Sequence, residues 1–153
     1  MNDIIQQMAD HHLLRQTADI YAIGADRRDK ALWQQVLAEE CVIEGPGFTS
    51  TGRDNCLLSI DALGQMFRAT QHRVHQQLVT IDGDRAVGET YCTADHLLPD
   101  QNAVLVWAIR YQDEWRREAS GWRFTRRKLV LDWTETRPVT PGTSLNQAKD
   151  MQQ

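Results

Sequence analysis

The chain has 153 residues, of which 41% are hydrophobic and 25% are charged. This is the composition of a globular domain that can bury its own core, and it excludes disordered and fibrous proteins. With 17 Lys and Arg against 21 Asp and Glu, the net charge of −4 lacks the basic excess of nucleic-acid-binding proteins, so we expect no nucleic-acid partner.

The N-terminal residues have neither the basic segment nor the continuous apolar segment of a signal peptide. No apolar run reaches the roughly 18 residues of a membrane-spanning helix. Three cysteines, widely spaced and without a CxxC pair, predict neither a disulfide framework nor structural zinc. We therefore expect a soluble, cytoplasmic protein with no membrane partner.

The first third of the chain has helical periodicity. A first helix is indicated by residues that recur every four positions, namely Leu14, Ala18, Ala22 and Asp26. This spacing places the Asp26 carboxylate in line with an apolar stripe. Asp29 is a candidate N-cap for a second helix carrying Trp33, and Asp54 is a candidate N-cap for a third. Between them, residues 41–44 predict a short strand that ends at a Gly-Pro-Gly turn.

From His72 onward the pattern is that of strands, predicted over 72–80, 86–98, 103–115 and 122–133. On the first strand, alternation places His72 on one face with Val74, Gln76, Leu78 and Thr80. On the last, it groups Arg127 with Arg123, Thr125, Leu129, Leu131 and Trp133. Helices followed by long strands predict an α+β fold, with a curved antiparallel sheet around N-terminal helices. We expect one domain over residues 1–137 and a loosely ordered tail over 138–153.

Asp26 and His72 are the first candidate functional residues. An ionised carboxylate on an apolar helix face is costly unless it is paired. Asp26 therefore has two interpretations. Either it ends its helix and is solvated or paired with Arg27 or Arg28, or it belongs to a functional site. His72 begins a strand, where a lone histidine is more often structural than catalytic. His75 lies three residues further on and faces the opposite side of a strand, so we expect no shared metal ion.

Three further residues each have two interpretations. His96 shares a face with small and apolar residues, and it either lines a cavity or finishes its strand. Arg127 is a cation on an apolar face and needs a protein carboxylate or an anionic ligand group as its partner. Trp107, like the other large aromatic residues, is most simply a core or interface residue. No phosphate-binding or nucleophile motif is present, and we expect no cofactor.

Over roughly residues 8 to 135 the chain resembles SnoaL-like proteins of the nuclear transport factor 2-like superfamily. The segments that carry the resemblance are Ala-Asp-Arg-Arg-Asp (25–29), Thr-Gln-His (70–72), Ile-Asp-Gly-Asp-Arg-Ala (81–86), Tyr-x-Asp-x-Trp-Arg-Arg (111–117), Gly-Trp-Arg-Phe (121–124) and Leu-Val-Leu-Asp-Trp (129–133). The similar subgroup includes scytalone dehydratase and hexachlorocyclohexane dehydrochlorinase. The resemblance implies a cone-shaped, cystatin-like α+β barrel.

In these two lyases a helix aspartate orients a strand histidine, which removes a proton from carbon. Asp26 and His72 match this pair, and Arg127 falls on an arginine that assists the departing group. His96 lies near a second active-site histidine. The resemblance therefore implies catalytic roles for Asp26, His72 and Arg127. It makes His96 a candidate substrate-binding residue, to which we add Tyr21 and Trp107.

The chain departs from both lyases at the positions that recognise their substrates. Ala25 and Gly45 stand where the dehydratase has tyrosines, and Tyr21 stands where the dehydrochlorinase has a lysine. Neither substrate is therefore carried over to this chain. The pair is retained while its substrate-specific partners are replaced.

The sequence thus predicts a cofactor-independent lyase that acts on a small, largely apolar molecule with loss of water or halide. The same pair could serve an isomerase or a cyclase. The alternatives from another class are a non-catalytic ligand-binding protein and the small subunit of a ring-hydroxylating dioxygenase. Because relatives commonly pair through the exposed face of the sheet, we expect a homo-oligomer, either a dimer or a trimer.

Overall fold

The computed structural model describes residues 2–145 of the chain. Its helices and strands follow in the order α1 (Asn2–Arg27), α2 (Lys30–Val36), β1 (Leu37–Gly45), β2 (Phe48–Thr51), α3 (Arg53–Met66), β3 (Ala69–Asp82), β4 (Arg85–Leu97), β5 (Ala103–Glu118) and β6 (Gly121–Pro138). Helices precede the long strands, as the sequence predicts.

The strands form one six-stranded sheet in the order β2-β1-β6-β5-β4-β3. It curves around the N-terminal helices without closing, and the predicted α+β class is confirmed. Neighbouring strands are antiparallel except β1 and β6, which run parallel and make the sheet mixed. The exception arises because β1 and β6 are not consecutive in the chain, so no hairpin constrains their relative direction.

Helix α1 packs on the sheet through apolar residues at helical spacing. The apolar residues of the predicted stripe, Leu14, Ala18 and Ala22, are buried together with Tyr21 and Ala25. The helix ends where Arg28 adopts the left-handed φ of 56°, a conformation that most residues avoid. Asp29 then caps α2, as predicted, because its side chain accepts the N–H groups of Ala31 and Leu32.

Helices α1 and α2 meet at a glycine. A Cβ atom at Gly24 would lie 2.6 Å from Cδ1 of Trp33, so the indole ring needs a residue without a side chain there. Nε1 of Trp33 donates to the Tyr21 carbonyl at 2.8 Å, and the two rings stack with their centroids 4.2 Å apart. This contact fixes the ring of Tyr21 in the space between α1 and the sheet.

Helix α3 begins one residue before its predicted cap. Gly52 precedes it with a φ of 85°, and no side chain caps its first turn. The prediction that Asp54 is the N-cap is therefore wrong. Because the helix starts at Arg53, Asp54 lies inside the first turn, where its charge still interacts favourably with the helix dipole.

A bulge in β3 changes which of its side chains face the core. Val74 pairs with Cys92 and Gln77 pairs with Thr90, so one extra residue lies in β3 between them. Beyond the bulge, side chains that strict alternation would place on the inner face of the sheet lie on the outer face, and the reverse. Leu78 is 81% exposed, and the prediction that it shares a face with His72 is wrong.

Two register shifts between β5 and β6 likewise change which side chains of β6 face the core. Phe124 pairs with Trp115 and Arg126 with Glu114, which leaves Thr125 as an extra residue. Phe124 therefore shares the inner face with Arg127, and the predicted grouping of Arg127 with Arg123 and Thr125 is wrong. A second register shift skips Asp132 and turns Trp133 outward, where it is 68% exposed.

The last strand ends at Pro138, and the N–H of Val139 donates to the carbonyl of Asn102. The predicted loosely ordered tail over 138–153 stays a prediction, and its residues 146–153 lie outside the described range. Between residues 2 and 145, none of the helices combines the length and the apolar character needed to cross a lipid bilayer.

Candidate active site

A cavity of about 810 Å³ lies between the inner face of the sheet, α1, and the segment formed by β2 and α3. The buried part of its wall includes Tyr21, Trp33, Ile43, Phe67, His96, Ile109 and Tyr111. Its rim is formed by exposed apolar residues of β2 and α3, namely Phe48, Leu58 and Met66. An apolar wall with a few polar groups is typical of small-molecule sites.

Asp26 and His72 contact each other at this cavity. Nδ1 of His72 lies 2.7 Å from Oδ1 of Asp26, and the His72 backbone N–H donates to Oδ2 at 2.8 Å. A carboxylate can only accept, so Nδ1 carries the proton and Nε2 carries the lone pair. His72 lines the cavity, and its side chain is 7% exposed. The arrangement holds an imidazole in the tautomer that a general base needs.

Two further residues complete the surroundings of Asp26. Nη1 of Arg28 donates to Oγ1 of Thr70 at 2.8 Å, and Oγ1 lies 3.0 Å from Oδ1 of Asp26. Because a guanidinium can only donate, the Thr70 hydroxyl accepts from Arg28 and donates its own proton to Asp26. Arg28 therefore reaches Asp26 through Thr70. The role of Thr70 has one signal in the sequence, its position two residues before His72 on the same strand face.

His96 lies deep in the cavity wall. Of the two interpretations that the sequence left open, a residue that lines a cavity or one that finishes its strand, the structure shows the first. Its ring contacts those of Phe67 and Trp107, with centroids 4.6 and 5.1 Å away, and its centroid lies 6.0 Å from that of His72. Nδ1 is 3.0 Å from the carbonyl oxygen of Leu105. Burial lowers the pKa of His96 to about 4, although the Leu105 carbonyl opposes this shift. His96 is therefore neutral at pH 7.

Arg127 lies behind the cavity wall and is 1% exposed. Its Nε and Nη2 atoms donate to the two carboxylate oxygens of Asp113 at 2.8 and 3.0 Å. Thr90 donates to the same carboxylate at 2.8 Å. Of the two partners that the sequence left open for Arg127, the structure provides the protein carboxylate, and Arg127 is not among the residues that line the cavity.

The Arg127 guanidinium stacks on aromatic rings that do line the cavity. Its central carbon lies 4.3 Å from the ring centroid of Tyr21 and 3.8 Å from that of Tyr111. Burial raises the pKa of both phenols above the ordinary range for tyrosine, so both hydroxyls are protonated. Tyr111 was not predicted to belong to the site, because alternation alone describes it equally well as a core residue.

Trp107 lines the cavity beside His96, and its role in substrate binding stays a prediction. His75 lies on the outer face of β3 and contacts Thr93 Oγ1 at 2.7 Å, on the side of the sheet opposite His72. Within residues 2–145, no three His, Cys, Asp or Glu side chains are grouped so that they could hold a metal ion.

The model of the SnoaL-like domain matches residues 6–128 of the chain. No curated protein sequence matches this chain significantly. Solved structures match over most of their length. Kfla4162 from Kribbella flavida is 26% identical with a TM-score of 0.77, and the match covers 84% of this chain and 95% of that protein.

Two other structures carry names from the subgroup that the sequence resembles. A scytalone dehydratase-like protein from Novosphingobium aromaticivorans is 20% identical with a TM-score of 0.80, and the match covers 93% of this chain and 95% of that one. A type 2 hexachlorocyclohexane dehydrochlorinase (LinA) is 16% identical with a TM-score of 0.84, covering 91% and 98% respectively. At these identities the similarity establishes the shared fold.

Proposed function

The chain belongs to the SnoaL-like family, and from this premise we propose that it is a cofactor-independent lyase acting on a small, largely apolar molecule. In this proposal His72, oriented by Asp26, removes a proton from carbon. The observation that carries it is the 2.7 Å contact between Nδ1 of His72 and the Asp26 carboxylate at an apolar cavity. The names of the dehydratase-like and dehydrochlorinase neighbours support it, since both describe eliminations.

The reaction begins with the lone pair on Nε2 of His72. Nε2 takes a proton from a substrate carbon, and the electron pair of that C–H bond forms a double bond to the next carbon. The leaving group departs from this second carbon with its own electron pair. Ionised Asp26 stabilises the imidazolium that forms. General-base catalysis of this kind contributes roughly 10²–10⁴-fold to the rate.

The other predicted residues act around this pair. Tyr21, His96 and Trp107 line the cavity, and in this proposal they contact the substrate. Arg127 acts indirectly, because its guanidinium lies behind the rings of Tyr21 and Tyr111. Because its charge is paired with the Asp113 carboxylate, its contribution is to hold the two tyrosine rings in place in the cavity wall.

The test is to remove the base and its orienting carboxylate separately. We expect His72→Gln and Asp26→Asn each to lower kcat by about 100-fold or more on any substrate found among cyclic β-hydroxy ketones and chlorinated cyclohexanes. Enone absorbance and chloride release measure turnover. His75→Gln is the matched control, because His75 lies on the same strand but on the outer face of the sheet.

Thermal unfolding of each variant separates chemistry from folding. Unchanged unfolding midpoints with lost turnover support the proposal. Full activity in His72→Gln contradicts it, and unfolding of Asp26→Asn assigns Asp26 a structural role instead. If the wild-type protein exchanges a substrate C–H proton with D2O without releasing a leaving group, the reaction is an isomerisation or a cyclisation by the same pair.

A further inference from the structure

The side chain of Arg28 connects three elements of the fold, α1, α3 and β3. Its Nη1 atom donates to the Ala25 carbonyl in the last turn of α1 and to Oγ1 of Thr70 on β3. Its Nη2 atom donates to the Leu63 carbonyl near the end of α3 at 3.4 Å. The C-terminal end of a helix carries the negative end of its dipole, so a cation between two such ends is favourable. One guanidinium therefore holds the relative positions of these three elements.

The second half of α3 has few other anchors. All the buried residues of this helix lie in its first half, up to Ile60. Within residues 61–66, Leu63 is partly buried and the other residues are exposed. Low burial of this kind is typical of segments that open locally in the native state. The position of this half therefore depends on the contact of Leu63 with Arg28 and on one half-exposed ion pair made by Asp61.

The contacts of Arg28 form a chain from the cavity wall to the candidate base. Leu63 lines the cavity, and its carbonyl accepts from Arg28. Arg28 donates to the Thr70 hydroxyl, which in turn donates to Asp26. The Asp26 carboxylate accepts from Nδ1 of His72 and so keeps the ring proton on that atom. A movement of the second half of α3 therefore has a direct physical route to the imidazole.

We infer that Arg28 is a positioning residue that couples the second half of α3 to the pair formed by His72 and Asp26. While Leu63 is in contact with it, the guanidinium is fixed and directs the Thr70 hydroxyl proton toward Asp26. When this half of α3 moves away, the guanidinium is free to turn, and Thr70 loses its fixed orientation. The population of the His72 tautomer that can accept a proton then falls. The meaning of this coupling for turnover rests on the proposed function, whereas the coupling itself does not.

The backbone of Arg28 allows its side chain to be removed without disturbing the end of α1. Its φ of 56° lies in the left-handed region, which glycine adopts without strain. Arg28→Gly therefore removes the guanidinium and keeps the backbone conformation. Arg27→Gln is the matched control, because Arg27 is the adjacent residue and is exposed.

Two measurements on the full chain report the two ends of the coupling. Imidazole ¹⁵N chemical shifts give the tautomer of His72, and the loss of its signals in His72→Gln assigns them. The Phe67 N–H donates to the Leu63 carbonyl at 3.0 Å, so its hydrogen exchange reports the end of α3. In Arg28→Gly we expect a second tautomer of His72 and roughly 10-fold faster exchange at Phe67. Arg27→Gln should match the wild type in both measurements.

A change on α3 tests the coupling from its other end, since coupling between two sites is reciprocal. A Cβ atom at Gly64 would lie 3.6 Å from Nε of Arg28, which is an ordinary van der Waals contact. Gly64→Ala therefore fits beside the guanidinium, whereas the larger side chain of Gly64→Leu competes with Arg28 for space. Alanine and leucine are both good helix formers, so the two variants differ mainly in bulk. We expect a second tautomer of His72 in Gly64→Leu and a single one in Gly64→Ala.

Two results overturn the inference. One is a single tautomer of His72 in both Arg28→Gly and Gly64→Leu. The other is a second tautomer in Arg28→Gly with unchanged exchange at Phe67, because Arg28 then acts on its own strand contact without coupling it to α3. Circular dichroism establishes that each variant is folded. If Arg28→Gly does not fold, the two Gly64 variants still decide the question, and a single tautomer in both overturns the inference.

Turnover adds a test that depends on the proposed function. Because a misoriented base affects the chemical step more than binding, Arg28→Gly should lower kcat about 10-fold with a smaller change in KM. Full activity of His72→Gln would contradict the proposed function. It would leave the tautomer and exchange measurements intact, so failure of the proposed function and failure of the coupling are distinguishable.

Discussion

At the scale of single residues, the site depends on how one carboxylate is held. Asp26 accepts hydrogen bonds from the backbone and Nδ1 of His72 and from the Thr70 hydroxyl. These bonds compensate for placing an ionised group on an apolar helix face. Arg28, with its left-handed backbone, orients Thr70 from the other side. Backbone strain of this kind commonly marks functional sites.

The Thr70 hydroxyl should therefore position the catalytic pair. In Thr70→Val the Asp26 carboxylate loses one donor, and we expect a second tautomer of His72 to appear and kcat to fall by up to about 100-fold. The ¹⁵N chemical shifts of the imidazole report the tautomer. Thr70→Ser keeps the hydroxyl and should keep one tautomer. A single tautomer in Thr70→Val would show that Thr70 only stabilises the fold.

Periodicity places Asp26 on the inner face of its helix, in line with the buried residues of α1, and this position is observed. His72 is predicted to begin its strand, whereas β3 begins three residues earlier, at Ala69. The 2.7 Å contact between Asp26 and His72 could not be predicted from spacing, because it depends on where α1 crosses β3. The partner of Arg127 could not be predicted either, because it also depends on how two elements are placed relative to each other. Its pairing with Asp113 requires the register of the β5–β6 hairpin, which a bulge shifts by one residue.

At the scale of elements, bulges separate the predicted faces from the observed ones. A strand alternates with period two, so one extra residue moves every later side chain to the other face. The extra residues in β3 and β6 have no distinctive composition, and Thr125 is an ordinary strand former. Helix and strand order could therefore be predicted, whereas the inward-facing residues could be predicted only as far as the first bulge.

Helix α1 is attached to the sheet by a buried ion pair that should make its docking sensitive to acid. Asp10 is 3% exposed and accepts from Nη1 and Nη2 of Arg117 at 2.6 and 2.9 Å, and from Nε1 of Trp122 at 3.0 Å. The hydrogen bonds from Arg117 are the main reason that the pKa of Asp10 lies well below its usual range. Ionised Asp10 therefore stabilises the folded state above its unfolded pKa of about 4.

This contribution should be lost as the pH falls below about 4, because the unfolded chain then binds a proton that the folded chain does not. Between about pH 5 and pH 2 we expect the free energy of unfolding to decrease by on the order of 2 kcal/mol more in the wild type than in Asp10→Asn. Urea titrations at each pH measure it. Asp19→Asn is the control on the same helix, since its pair with Arg15 is half exposed. Equal pH profiles for the wild type and Asp10→Asn would contradict the expectation.

At the scale of the whole molecule, the outer face of the sheet carries large apolar side chains in contact with solvent. Its exposed members are Leu78, Val87, Tyr91 and Trp133. Scattered exposed apolar residues are common, but a group on one sheet face is typical of an association surface. The self-association that the sequence predicts stays a prediction, and we assign it to this face.

We expect the chain to form a dimer or trimer through this face. Trp133→Glu combined with Tyr91→Glu should shift the protein to a monomer in sedimentation velocity at micromolar concentration, because two charges would then be buried in the contact. Met66→Glu is the control, since Met66 is also exposed and apolar but lies at the cavity rim. A monomeric wild-type protein at the same concentration would exclude this surface as the site of association.

The parallel pairing of β1 with β6 also has a consequence for synthesis. Leu37 pairs with Phe124 and Ile43 with Arg127, so β1 leaves the ribosome long before its partner is translated. Until then only the short strand β2 covers one of its edges. The cavity wall needs Arg127 beneath its tyrosines, so it cannot form until nearly the whole domain has emerged. Contacts of such long sequence separation form slowly, and the nascent chain therefore has an open strand edge that chaperones can bind.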